Sequence, residues 1–130
     1  MRTPWGLSDY EEDYGAGIKF YETPHHGGFR VPAALNARVP EYLRRASGWY
    51  EEDCDWAIVA RFFPEVHAKL GPKAVATAEG VLKGYYPDEW ERLTGLRLKP
   101  GESHARDEAR SPYGFVVDPA VDAACKRSAA

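Results

Sequence analysis

The sequence predicts an α+β fold: an N-terminal β-hairpin packed on a cluster of about four helices, with a short strand or helix near the C-terminus. Three observations carry this. Ile18-Lys19-Phe20 alternates apolar and polar residues ahead of a Pro/Gly-rich connection, as a strand entering a hairpin does. Trp56-Ala57-Ile58-Val59-Ala60-Arg61-Phe62-Phe63 is apolar nearly all round, as in a helix buried on most sides. Pro40, Pro72 and Pro87 each stand where a helix can begin, because the first helical residue needs no N–H partner.

Taken in order, residues 1–16 read as an irregular N-terminal arm, with Trp5 as its pin and Tyr10 set among Asp9, Glu11, Glu12 and Asp13. Gly15 and Gly17 break the chain before the first strand, Ile18 to Thr23. Pro24-His25-His26-Gly27-Gly28 supplies the turn, and Phe29-Arg30-Val31 returns. Pro32 to Val39 is a loop or single turn, and Pro40 opens a short helix through Ala46. Ser47 is a candidate N-cap for a central helix running from Gly48 to Phe63. Glu65 to Leu70 adds a turn. The next helix starts at Pro72, with Val75, Ala78, Leu82 and Tyr85 on one face. Pro87 to Thr94 forms a further helix closed by Gly95. After Leu98 the pattern weakens: Glu102 to Arg110 reads as a charged helix, and the weakly patterned segment 104–130 goes on to a strand at Phe115-Val116-Val117 and a terminal helix from Pro119 to Arg127.

The 130 residues fit one domain, 1–130, and 44% hydrophobic content excludes general disorder. A net charge of −3 and pI of about 5.8 argue against direct nucleic-acid binding, which usually shows a basic face. Four Trp, 8 Tyr and 5 Phe supply both core and interface material. Cys54 and Cys125 have no metal-type spacing, and Cys54 reads as a small core residue. No apolar run approaches the roughly 18 residues of a membrane span, and the first residues lack a leader pattern. The expected location is therefore cytoplasmic, with no membrane partner.

Two constellations could carry chemistry. In Glu51-Glu52-Asp53-Cys54-Asp55, a helix would place Glu51 and Asp55 on one face, where paired carboxylates bind hard cations or do acid–base work. The same acids in a first helical turn are also favoured by the helix dipole alone, without any function. His25-His26-Gly27-Gly28 puts two imidazoles in a turn, where either could ligate a metal or act as a base. A surface loop with one His packed on an aromatic neighbour accounts for them without any function and is the simpler reading. Together, His25 or His26 facing the Glu51–Asp55 cluster would suit a metal-assisted hydrolase or an acid–base enzyme. Phosphate-binding loops, dinucleotide fingerprints, nucleophile elbows, Cys-x-x-Cys and His-Glu-x-x-His are all absent. No catalytic residue, cofactor or metal is assigned.

An ordered series then stands out: Thr3-Pro4-Trp5-Gly6, His26-Gly27-Gly28-Phe29, Ala37-Arg38-Val39-Pro40, Gly48-Trp49-Tyr50-Glu51-Glu52-Asp53-Cys54-Asp55-Trp56, Tyr86-Pro87 and Gly101-Glu102-Ser103. It resembles an uncharacterised domain family carried by bacterial phages, prophages and plasmids. The resemblance implies no activity. It does mark His26, Glu51, Glu52 and Asp53 as positions matching the family pattern, while residues 104–130 depart from it. Small size, many aromatics, acidic clusters and the absence of a catalytic signature point instead to a small accessory protein of a mobile element that binds a host or phage protein in the bacterial cytoplasm. One version is an inhibitor of a defence system such as a CRISPR effector, a nucleic-acid-binding complex whose basic groove Glu11, Glu12 and Asp13 would compete for. Candidate binding residues are thus Glu11, Glu12, Asp13, His25, His26, Glu51, Glu52, Asp53 and Asp55.

Overall fold

The computed structural model describes residues 1–110. The expected strand at 115–117 and helix at 119–127 lie outside the described residues. The fold is α+β, and its sheet is larger than one hairpin. Strands β1 (Arg2–Thr3) and β2 (Gly6–Leu7) form a small antiparallel ribbon. Strands β3 (Tyr10–Gly15), β4 (Ile18–Glu22), β5 (Gly27–Arg30) and β6 (Trp49–Glu51) form a four-stranded antiparallel sheet in the order β3-β4-β5-β6.

The expected hairpin is β4–β5. Its four-residue connection is closed by Thr23, whose N–H and hydroxyl both donate to the His26 carbonyl, at 2.7 and 2.9 Å. The irregular arm is corrected: most of residues 1–16 is β1, β2 and the edge strand β3. Acidic residues are poor strand formers, so alternation here is hard to see. The ribbon is pinned as expected. Trp5 packs over Gly28, where an added Cβ would lie 2.3 Å from the Trp5 ring, and meets Trp49 edge-on at 5.7 Å.

The long helix from Gly48 is also corrected. Trp49–Glu51 pairs with β5, and α2 spans only Trp56–Phe62. Gly48 has φ +79°, a conformation that breaks a helix, and the Ser47 hydroxyl accepts from Trp49 N at 3.2 Å rather than capping a helix. The helix expected at Pro40–Ala46 is only a turn. At Arg45 the backbone bonds to side chains instead of a helical ladder: its N–H donates to the Tyr50 hydroxyl at 3.2 Å, and its carbonyl accepts from Asn36 Nδ2 at 2.8 Å.

Around these lie α1 (Ala33–Asn36), a 3₁₀ turn (Pro64–Val66), α3 (His67–Leu70), α4 (Pro72–Tyr85), α5 (Pro87–Thr94) and α6 (His104–Arg110). Gly95 ends α5 in the left-handed conformation, φ +74°, as its position predicts. The apolar run keeps its expected role: Ala57, Ile58, Val59 and Ala60 are buried, and α2 lies between the sheet and α4. Phe29, Tyr50, Ile58 and Phe63 close the core, each contributing about 1.5–3 kcal/mol by burial. Among the described residues no helix is long and apolar enough to cross a membrane.

Register fixes which side chains share a face. Side chains alternate along a strand, so Glu12, Phe20, Phe29 and Tyr50 form a row on the helix-facing side. Glu22, Gly27 and Glu52 form the next row of that face, with Glu52 N donating to the Gly27 carbonyl at 3.0 Å. Glu11, Tyr21, Gly28 and Glu51 lie in a row on the outer side.

Candidate functional site: an aromatic cleft with an acidic rim

The helix-facing side of the sheet opens at one end into a cleft of about 250 Å³. Its walls are Tyr14 from β3, Phe20 from β4, Phe29 from β5, Trp56 from α2, Leu70 from α3 and the Glu52 side chain that follows β6. Ala74, near the start of α4, closes the far side. The rings are locked edge-to-face: Phe29 meets both Tyr14 and Phe20 at 5.0 Å. Such pairs are worth about 0.5–1.5 kcal/mol beyond burial and hold the cleft walls in place.

Glu52 is the polar feature of this wall. A Cβ on Gly27 would lie 2.8 Å from Glu52 Oε2 and 3.1 Å from Phe20 Cζ, so glycine leaves the carboxylate its place beside the rings. Among the described residues no hydrogen bond or ion pair reaches that carboxylate. Glu52 as a residue is exposed, and its pKa is raised first by partial burial of the carboxylate and then by Asp53, Glu22 and Glu51, with His26 opposing. Glu12 and Glu22 share its face. Burial first, then the Glu12 charge, raises the Tyr14 phenol, and Glu22 adds to this. The counter-charge on this rim is Lys69, 3.2 Å from Glu12 and 5.9 Å above the Tyr14 ring.

The structure separates the acids that the sequence groups together. Glu51 turns to the outer face, where His26 Nδ1 lies 3.5 Å from its Oε1. Asp53 is half-exposed in the turn before α2, and His25 is exposed at the hairpin tip. Asp55 does not share a helical face with Glu51. It is buried and takes two bonds from Arg45, at 2.9 and 3.2 Å, and one from the Tyr86 hydroxyl at 2.5 Å. Burial, then the Asp55 charge, pushes the Tyr86 phenol far up. This is a structural brace between the chain before β6, α2 and the α4–α5 junction.

The N-terminal acids divide as well. Glu11 lies on the outer face 3.8 Å from Lys19, and Asp13 Oδ1 accepts from Gly15 N at 2.8 Å. Glu12 alone of the three belongs to the cleft side. Among the described residues no three His, Cys, Asp or Glu side chains converge where a metal ion could be held.

The family model described as "Domain of unknown function (DUF7007)" matches residues 1–112. The chain belongs to this family. The matched span contains every element from β1 to α6, and with them the DUF7007 cleft and its rim. No curated protein and no solved structure matches the chain.

The cleft itself was not legible in the sequence. Its aromatic walls come from four elements, β3, β4, β5 and α2, which nothing in the sequence groups together. The one available signal was the His26-Gly27-Gly28 run, because adjacent glycines in a strand mark close approach by another group. Here Trp5 approaches one face and Glu52 the other.

Proposed function

We propose that this protein works by binding another protein, and that the cleft receives a basic side chain of that partner. The observation that carries this is the unpaired Glu52 carboxylate in a wall of aromatic rings. Aromatic faces attract cations by about 0.5–2 kcal/mol, the larger value applying when the cation is desolvated. A carboxylate beside them adds a charge-assisted hydrogen bond. Lysine or arginine satisfies both groups at once, and Glu12 and Glu22 favour its approach.

In the wider reading the protein is an accessory factor of a phage or other mobile element acting in the bacterial cytoplasm. That rests on the resemblance of the motif series. An inhibitor of a nucleic-acid-binding defence complex such as a CRISPR effector fits the same chemistry, since the groove of such a complex is rich in lysine and arginine. The acid that would meet it is Glu12, together with Glu22 and Glu52, rather than the Glu11–Asp13 run as a unit.

A photo-crosslinking residue at Ala74, inside the cleft, tests this in host cells, with a second at the exposed Ala34 as control. The expected result is a crosslinked protein captured from position 74 through a peptide containing Lys or Arg, and lost in Glu52→Gln. Capture from position 34 alone, or capture indifferent to Glu52→Gln, would overturn the proposal.

A second reading is acid–base catalysis, favoured by the His26–Glu51 contact. It places the reacting groups on the outer face, away from the cleft. A metal-assisted form would need ligands beyond those that the described residues bring together. This reading predicts a substrate turnover abolished by His26→Ala, whereas the binding reading predicts partner capture unchanged by that substitution.

A further inference from the structure

On another part of the molecule Arg30, from β5, and Arg44, from the turn after Pro40, line one recess of about 190 Å³. Ala33, Ala37, Ser47 and Gly48 complete much of its wall. Both guanidinium groups are held in place by backbone. Arg30 Nη1 donates to the Val31 carbonyl at 2.7 Å, and the group stacks on Trp49 at 5.7 Å. Arg44 Nε donates to the Val39 carbonyl at 2.9 Å and Nη2 to the Ala37 carbonyl at 3.3 Å. Gly48, at φ +79°, makes room: a Cβ there would lie 2.0 Å from Arg30 Nη1.

Neither arginine forms an ion pair with a described residue, whereas nearby Arg38 and Arg45 pair with Glu65 and Asp55. An arginine has five N–H donors, and these backbone bonds use one of Arg30's and two of Arg44's. Two arginines therefore line one small recess in a chain of net charge −3, each with donors that these backbone bonds leave over.

We propose that this recess is an oxyanion site, taking the phosphate group of a phosphorylated ligand between Arg30 and Arg44. Guanidinium groups match phosphate oxygens in charge and in the spacing of their donors. Holding two of them by backbone carbonyls lowers the ordering cost of binding. Ser47, another lining residue, accepts from Trp49 N through its hydroxyl and keeps its own proton as a donor.

The test is an NMR titration of the intact protein with inorganic phosphate at low salt, following the Arg30 and Arg44 Nε–H signals and the Gly48 amide. Saturable shifts are expected, with Kd on the order of 1 mM. Arg30→Gln should weaken binding about tenfold or more, as loss of a charge-assisted bond does, with an unchanged melting temperature as control. Arg44→Lys keeps the charge but loses the fork and should weaken it less. Phosphoserine peptide and nucleoside monophosphate arms then identify the source: whichever binds more tightly than free phosphate carries the natural group. Absence of saturable shifts with inorganic phosphate, or shifts that survive Arg30→Gln unchanged, would overturn the site.

Discussion

Gly27 in β5 and Glu52, the residue that follows β6, sit opposite each other, and the missing side chain of one is the room taken by the carboxylate of the other. Gly27→Ala would bring its Cβ to 2.8 Å from Glu52 Oε2 and to 3.1 Å from the Tyr21 carbonyl. The Glu52 side chain can swing away, but the backbone cannot. The variant is expected to stay folded at a cost of about 1–3 kcal/mol, as overpacking does, and to lose cation binding in the cleft. Urea unfolding measures the first effect and ligand titration the second; binding that survives the substitution would separate Glu52 from the site.

Glu52 itself makes a pH-dependent prediction. Burial and the surrounding acids raise its folded pKa above the unfolded value. The folded state then holds this proton more tightly, so ionisation of Glu52 works against folding. The penalty is absent at pH below the unfolded value and grows as pH rises through the raised one. Glu52→Gln is accordingly expected to be more stable than the parent at pH 7 and to match it near pH 3 to 4. Thermal melts across that range check the sign. A cation in the cleft favours the ionised form, so binding should release protons when measured within the titration range.

The Arg45–Asp55–Tyr86 brace gives a large stability effect remote from the cleft. Asp55→Ala leaves a partly buried guanidinium and a buried phenol without their partner, and breaking such a pair costs about 3–5 kcal/mol. Tyr86→Phe removes one hydroxyl and should cost less, about 1–3 kcal/mol. Denaturant midpoints distinguish the two. An Asp55→Ala variant with parental stability would show that the brace is dispensable.

Docking of α6 depends on Glu91. Hydrogen bonds from Arg106 and then from the Leu98 N–H hold the Glu91 carboxyl down to about 2. A carboxyl with a depressed folded pKa stabilises the fold above its unfolded value, and this is lost as pH falls through the folded one. Protection of the α6 amides, referred to the intrinsic exchange rate at each pH, should therefore fall on acidification from about pH 4.5 toward 2. In Arg106→Gln the protection should already be low at neutral pH.

Local chemistry made the β4–β5 hairpin, the buried half of α2, and α4 and α5 legible. Ile18-Lys19-Phe20 alternates, Pro24-His25 breaks the strand into a turn, and Gly95 stops α5 in a conformation few other residues adopt. β6 was not legible, because Glu51 and Asp55 have helical spacing and strand pairing is decided by β5, some twenty residues earlier. The positive φ of Gly48 and the aromatic pair Trp49-Tyr50 were the local signs against a helix. His26 and Glu51 lie 3.5 Å apart, a pairing that the sequence left open. Glu52 and Asp55, read as their companions, are carried to opposite uses by strand alternation and by the start of α2. The acidic strand β3 hid because an edge strand tolerates charge on both faces.

The central claim is that the cleft binds a basic side chain through Glu52 and its rings. The most direct measurement is an NMR titration of the protein with a short lysine-containing peptide, following the Trp56 indole N–H. Saturable shifts at Trp56, Tyr14 and Phe20, about tenfold weaker in Glu52→Gln and absent with the acetyl-lysine form of the peptide, are the predicted result. Shifts that are equal for lysine and acetyl-lysine, or that leave Trp56 untouched while the outer face responds, would contradict it.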